Sequence, residues 1–207
     1  TSVADNKKLI NYQRNYFNLL QKINYKITDK RNLFFLDKSY EQQYNDFYEK
    51  FINSEFSLFH FDEKWDKLKL SDFKNSLKII NKLSNKYKVI ISTGLKNFSF
   101  LKNLKEKFNT FNFTENEFIS KNPSFINNAI LVEKLPLNLL AYFIKNSEIN
   151  FSFHSGPVVH ISPAFNRKIV DLMPKMKNHE LARWIPEISN YQRINFEDLD
   201  DKVIESI

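Results

Sequence analysis

The sequence contains no cysteine. That excludes a disulfide framework, a thiolate zinc site and a cysteine nucleophile, and it suits an oxidising or a reducing compartment equally. Glycine is nearly absent too: Gly94 and Gly156 are the two in 207 residues, where an ordinary domain carries about seven per hundred. Arginine stands only at positions 14, 31, 167, 183 and 193, and every proline (123, 136, 157, 163, 174 and 186) lies past the midpoint. No apolar run is long enough to cross a bilayer, and Thr1 to Ile10 lacks the apolar stretch of a signal peptide. The opening residue is Thr1 rather than Met, which fits a processed product or a piece of a longer chain.

What is abundant is Lys, Asn, Ile and Phe, the pattern of a coding sequence drifted toward A/T-rich codons. With 42% hydrophobic and 15% aromatic residues, 21 of them Phe, the chain has enough apolar surface to bury a core and lies far from the composition of disorder. The net charge of +7 invites a nucleic-acid partner. The basic residues are interleaved with acids, however, as in Asp62-Glu63-Lys64 and Lys105-Glu106-Lys107, and form no block. Nucleic acid is therefore not the expected partner, while weak attraction to an anionic surface fits the charge.

Two patterns divide the chain. Over Lys7 to Ile23 and again over Tyr40 to Ile52, apolar residues recur at helical spacing, with a turn at Thr28 to Asn32 and a short apolar run at Leu33 to Leu36 between them. Past residue 55, short apolar runs alternate with amphipathic helices. The runs are Phe56 to Phe61, Tyr87 to Ser92, Ala129 to Val132, Ile149 to Phe153 and Lys168 to Leu172; the helices are Ser71 to Asn85, Phe98 to Phe108 and Leu137 to Asn146. Such alternation predicts α/β architecture, a Rossmann-like parallel sheet with helices on both faces. Residues 1–54 are expected to form a helical arm and 55–207 the α/β domain.

In an open parallel sheet, ligands bind beyond the carboxyl ends of the strands. Both glycines follow apolar runs there: Gly94 after Val89-Ile90-Ile91-Ser92-Thr93, and Gly156 after Phe151-Ser152-Phe153-His154-Ser155. In a chain otherwise poor in glycine, these positions are expected to need positive φ or close backbone approach; the alternative is two turns with no ligand. The second turn carries more. Ser155-Gly156-Pro157-Val158 opens a helix with His160 one turn inside, and N–H groups at a helix start, helped by a Ser hydroxyl, suit a phosphate. Pro157 fits the first turn, where its missing N–H costs nothing. No acidic pair near this turn has metal-ligand spacing, and Asp62-Glu63 beside Lys64 and Lys67 reads as a solvated loop. His179, Glu180, Arg183 and Trp184 form either a pocket rim or the face of a surface helix.

Ser155-Gly156-Pro157, His160-Ile161-Ser162 and Phe165 to Val170 together resemble the donor-site motif of the ADP-heptose:lipopolysaccharide heptosyltransferases, glycosyltransferase family nine, written there Asp-Thr-Gly-Pro-Met-His-Ile-Ala. Phe59-His60 with Lys64-Trp65, Ile90 to Gly94, Val132 to Leu137 and Asn11 to Ile27 are similar to further segments of the family's C-terminal half. The departures are His154 in place of an acid, an extra residue before His160, Asp66 in place of Pro after Trp65, and no acid after Gly94. The resemblance implies one half of a GT-B fold that binds a nucleotide-diphosphate sugar, which in the family is ADP-linked, with no metal or other cofactor. It implies donor contacts at Ser155, Gly156, Pro157, Val158, His160 and Lys64, and a rim of His154, Gly94, Trp65, Arg183 and Trp184. It further implies a glycan or lipid-linked acceptor, a companion N-terminal half that supplies the catalytic base, and a cytoplasmic setting near the inner membrane face. The alternative is a non-catalytic Rossmann-like nucleotide-binding module.

Overall fold

The computed structural model describes residues 34–61, 69–94, 99–113, 115, 117–119, 128–153, 155–173, 190–198 and 202. Among them, eight strands form one sheet: β1 (Phe56–Phe61), β2 (Lys88–Thr93), β3 (Asn109–Asn112), β4 (Glu117–Ile119), β5 (Ala129–Glu133), β6 (Ile149–Ser152), β7 (Lys168–Met173) and β8 (Tyr191–Asn195). The spatial order is β4-β3-β5-β2-β1-β6-β7-β8, and every pairing is parallel except that of β4 with β3. Without β3 and β4, the order is that of the doubly wound dinucleotide-binding fold. The expected α/β sheet is therefore present, widened by two short strands at one edge.

Apolar runs without alternation produce this arrangement because both faces of the sheet are covered. All six residues of β1 and all five of β5 are buried. On one face Phe59, Phe61, Phe151 and Phe153 pack with Val170 and Leu172 against the helix α2 (Leu70–Ser84), which contributes Phe73, Ile79 and Ile80. Phe59 and Phe151, on adjacent strands, stack with ring centroids 4.6 Å apart. The Asp72 carboxylate of α2 reaches back to the Lys69 N–H (3.1 Å), satisfying a donor that precedes the helical ladder. The short helix α3 (Leu101–Lys107) buries Leu104 on this face.

The opposite face carries Leu58, Ile90 and Val132 under α4 (Leu137–Asn146) and α5 (Gly156–Ile161). Residues 34–52 pack there as well. Helix α1 (Glu41–Phe47), continued by wider π-type turns over Tyr48–Ile52, places Tyr44 against Phe143 and Phe47 against Phe111, and Tyr142 donates its hydroxyl proton to the Asp37 carbonyl (3.1 Å). The described part of the predicted arm thus shares its core with the sheet. Asn53, in the left-handed region at φ 45°, ends that segment and turns the chain into β1. Ser147 donates to Asn150 Oδ1 (2.8 Å) and the Asn150 amide to the Ile144 carbonyl (3.3 Å), which fixes where α4 hands over to β6.

Candidate functional site

From β1 the chain passes to β2, runs out to the edge strands β3 and β4 and back in to β5, then crosses to the other side of β1 for β6, β7 and β8. The direction of winding reverses between β1 and β6, so the crossover connections on either side leave a crevice at the carboxyl ends of these two strands. The turn singled out in the sequence stands there. Chain leaving β6 passes Phe153 and enters α5 through Ser155, an extended N-cap residue (φ −68°, ψ 121°). Pro157 lies in the first helical turn, as expected. A 3₁₀ turn, Ser162–Phe165, follows α5 and stops at Asn166, again left-handed (φ 54°), before β7.

The N–H groups of this turn are not all disposed as the sequence suggested. The Ser155 N–H donates to Ser152 Oγ at 2.8 Å, and the Ser155 side chain is fully buried and its hydroxyl has no hydrogen-bond partner among the described residues. Val159 makes the first intrahelical bond, to the Ser155 carbonyl (3.0 Å). The N–H groups of Gly156 and Val158 therefore precede the helical ladder, with Gly156 and Pro157 half-buried, Val158 buried and His160 exposed. Lys64, Trp65, His154, Arg183 and Trp184, as well as His179 and Glu180, lie outside the described residues.

Gly94 follows β2 and donates its N–H to the Phe61 carbonyl at the end of β1 (3.3 Å). Next to it the end of β5 is tied in: the Lys134 N–H donates to Thr93 Oγ1 (3.3 Å) and the Leu135 N–H to the Thr93 carbonyl (3.2 Å). Gly94 thus sits at the carboxyl edge next to β1. The expected reason for glycine is corrected, however. Neither Gly94 nor Gly156 has positive φ, and a Cβ built on either meets no atom within 4 Å. Positive φ falls instead on Asn53, Lys134 and Asn166.

Sequence reasoning missed a polar row beneath α5. Ser92 is in register with His60, Ser152 with Asp171, and Asp171 with Arg193, while the pairing of Phe59 with Phe151 brings His60 level with Ser152. Ser92, His60, Ser152 and Asp171 are all buried. His60 Nδ1 and Ser92 Oγ share a 2.9 Å hydrogen bond, and Tyr191 donates its hydroxyl proton to Asp171 Oδ2 at 2.8 Å. Burial, and then the negative charge of Asp171, hold the Tyr191 hydroxyl well above the usual tyrosine range. The signal was present in the sequence as one polar residue near the end of each apolar run, visible only when the strands are aligned side by side. Among the described residues no group of three or more His, Asp or Glu side chains is placed to hold a metal ion, and no helix is long and apolar enough to cross a membrane.

The fold defines a class, the doubly wound α/β unit, and folds of this class place their ligands at the strand-order reversal, which here lies between β1 and β6. No family model matches the sequence, and a comparison with curated proteins gives no match. Among solved structures, the chain is similar to E. coli ADP-heptose LPS heptosyltransferase II, with a TM-score of 0.55 and 13% identity over 84% of this chain and 51% of that one. E. coli heptosyltransferase WaaC with ADP gives a TM-score of 0.49 and 12% identity over 82% of this chain and 48% of that one. The likeness to heptosyltransferase II is one of fold, the Rossmann-like half of a GT-B glycosyltransferase, and the chain spans about half the length of these structures.

Proposed function

We propose that the chain binds a nucleotide-diphosphate sugar at the carboxyl ends of β1 and β6 and serves as the donor half of a glycosyltransferase. One observation carries the reading: the Ser155–His160 motif, singled out on sequence grounds, falls at the point where the sheet reverses its winding. The likeness in fold to a heptosyltransferase supports it, and makes ADP-linked sugars the first donors to test.

In this reading the diphosphate lies against the start of α5. The Gly156 and Val158 N–H groups, the exposed His160 ring and the Lys64 ammonium stabilise the negative charge that grows on the leaving diphosphate. The acceptor hydroxyl oxygen forms the new bond to the anomeric carbon as the bond from that carbon to the diphosphate oxygen breaks. The acceptor's proton passes to a base on the companion half. The acceptor is a glycan or lipid-linked hydroxyl, and the reaction takes place on the cytoplasmic side, at or near the inner membrane face.

Isothermal titration with ADP, UDP and GDP tests the reading directly. Saturable binding of ADP, weakened about ten-fold (about 1.4 kcal/mol) by His160→Ala or Lys64→Ala, is the expected outcome. Absence of heat with all three nucleotides overturns it. The burial of Ser155, together with His154 in place of an acid, favours a second reading, a nucleotide-binding module without transferase activity. Nucleotide binding combined with no sugar transfer by the full-length protein would select that one.

A further inference from the structure

From the buried contact between β6 and the start of α5, we propose that Ser152 is the positioning residue of the β6–α5 turn. A serine at an N-cap ordinarily accepts an N–H from the first helical turn with its own hydroxyl. Ser155 occupies the N-cap but does not do this, and its buried hydroxyl has no partner among the described residues. The restraint comes from three residues upstream, where Ser152 Oγ accepts the Ser155 N–H at 2.8 Å in a fully buried setting. This bond fixes Ser155 in its extended conformation, and with it the direction in which Gly156 and Val158 present their N–H groups.

The surroundings of Ser152 hold it in place. It ends the central strand β6, flanked on one side by β1 at the level of His60 and on the other by Asp171 of β7, its register partner. Two residues back on the same face, the row reads Ile90, Leu58, Asn150, Ile169 and Tyr191, and Ile90, Leu58 and Ile169 are buried. Polar groups are therefore concentrated at the level where the sheet meets α5. A hydroxyl buried on a central strand loses rotational freedom to packing, so an acceptor there aims a turn more rigidly than a side chain within the turn itself.

What the turn binds rests on the donor-site reading above; that Ser152 holds the turn does not. Ser152→Ala in the full chain is examined by NMR for the Ser155 amide and by titration with ADP at a temperature well below unfolding. We expect faster hydrogen exchange and an upfield shift at the Ser155 amide proton, a loss of ADP affinity of about ten-fold, and recovery of both with Ser152→Thr. A role confined to stability lowers the melting temperature but leaves ADP affinity at low temperature unchanged, and that result overturns the positioning role. An unchanged Ser155 amide in a folded Ser152→Ala protein overturns the proposal at its base. If Ser152→Ala does not fold, Ser152→Cys, close in volume but a weaker acceptor, is read out in the same two ways. If the parent chain binds none of ADP, UDP and GDP, the donor-site reading fails, and the Ser155 amide alone decides whether Ser152 holds the turn.

Discussion

Gly156 shows how a residue can be legible in a sequence for the wrong reason. Scarcity of glycine marked it as special, and it does open the helix at the crevice. Yet its φ is not positive and a Cβ there meets nothing within 4 Å, so the backbone does not require glycine. Gly156→Ala is therefore expected to fold with stability within about 1 kcal/mol of the parent, in either direction. If the open space at this position is where a diphosphate lies, the same variant loses ADP affinity by ten-fold or more; chemical denaturation and calorimetry on one preparation separate the two effects. Equal affinity in parent and variant would return Gly156 to the background of codon drift. The Asp171–Tyr191 pair went unread because it joins two strands, one of which the sequence pattern did not reveal. With Tyr191 held above its usual range, folded and unfolded states are both un-ionised at this group below about pH 10, and stability is lost as the pH rises past that value, because the unfolded chain ionises first. Tyr44, raised chiefly by burial, adds in the same direction. Tyr191→Phe should lower stability at neutral pH by about 1–2 kcal/mol, since the Asp171 carboxyl loses a donor, and should flatten the fall between pH 9 and 11 in urea titrations. A steeper fall than in the parent would contradict this account.

At the scale of elements, five strands and helices α1 to α4 were readable because their sequences carry apolar runs or helical periods of apolar residues, and α5 was readable from its Ser-Gly-Pro start. The three strands that escaped notice are β3 (Asn-Thr-Phe-Asn), β4 (Glu-Phe-Ile) and β8 (Tyr-Gln-Arg-Ile-Asn). Each is short and largely polar, and each forms because a neighbour already in the sheet offers it an edge, which is information local periodicity does not contain. One tertiary contact near the carboxyl edge was equally out of reach. Glu133, the last residue of β5 and 3% exposed, is paired at 2.8 Å with Lys105 of α3, itself about half exposed. The sequence showed Lys105-Glu106-Lys107 only as mixed surface charge. Removing the cation leaves a buried carboxylate without its partner, so Lys105→Ala should cost about 1–3 kcal/mol, at the lower end for a pair with one side in solvent. Adding Glu133→Gln in that background should recover part of the loss. A double-mutant cycle with no coupling would show that the Glu133 carboxylate is satisfied without Lys105.

For the whole molecule, strand order determines where function can reside. A parallel sheet wound in both directions from β1 has two ends that differ chemically: strands enter at one and leave at the other, and only the leaving end combines loops, helix starts and the reversal between β1 and β6. Phe61, Gly94 and Phe153 come together at that end, Gly94 through its hydrogen bond to the Phe61 carbonyl and Phe153 through its ring, 5.2 Å from that of Phe61. Lys88 marks the opposite end, where half-burial at the start of β2 pulls its ammonium below the usual lysine range. Hydrogen exchange with saturating ADP therefore has a directional outcome. Protection should rise at Gly94, Gly156 and Val158 and stay unchanged at the amino-terminal residues Phe56, Lys88 and Ile149 of the same strands. Protection at the amino-terminal edge instead would place the nucleotide on the wrong side of the sheet for a Rossmann-like donor domain. Uniform protection across both edges would mean that the nucleotide stabilises the chain globally without a defined seat, and the crevice between β1 and β6 would then lose its claim to be the binding site.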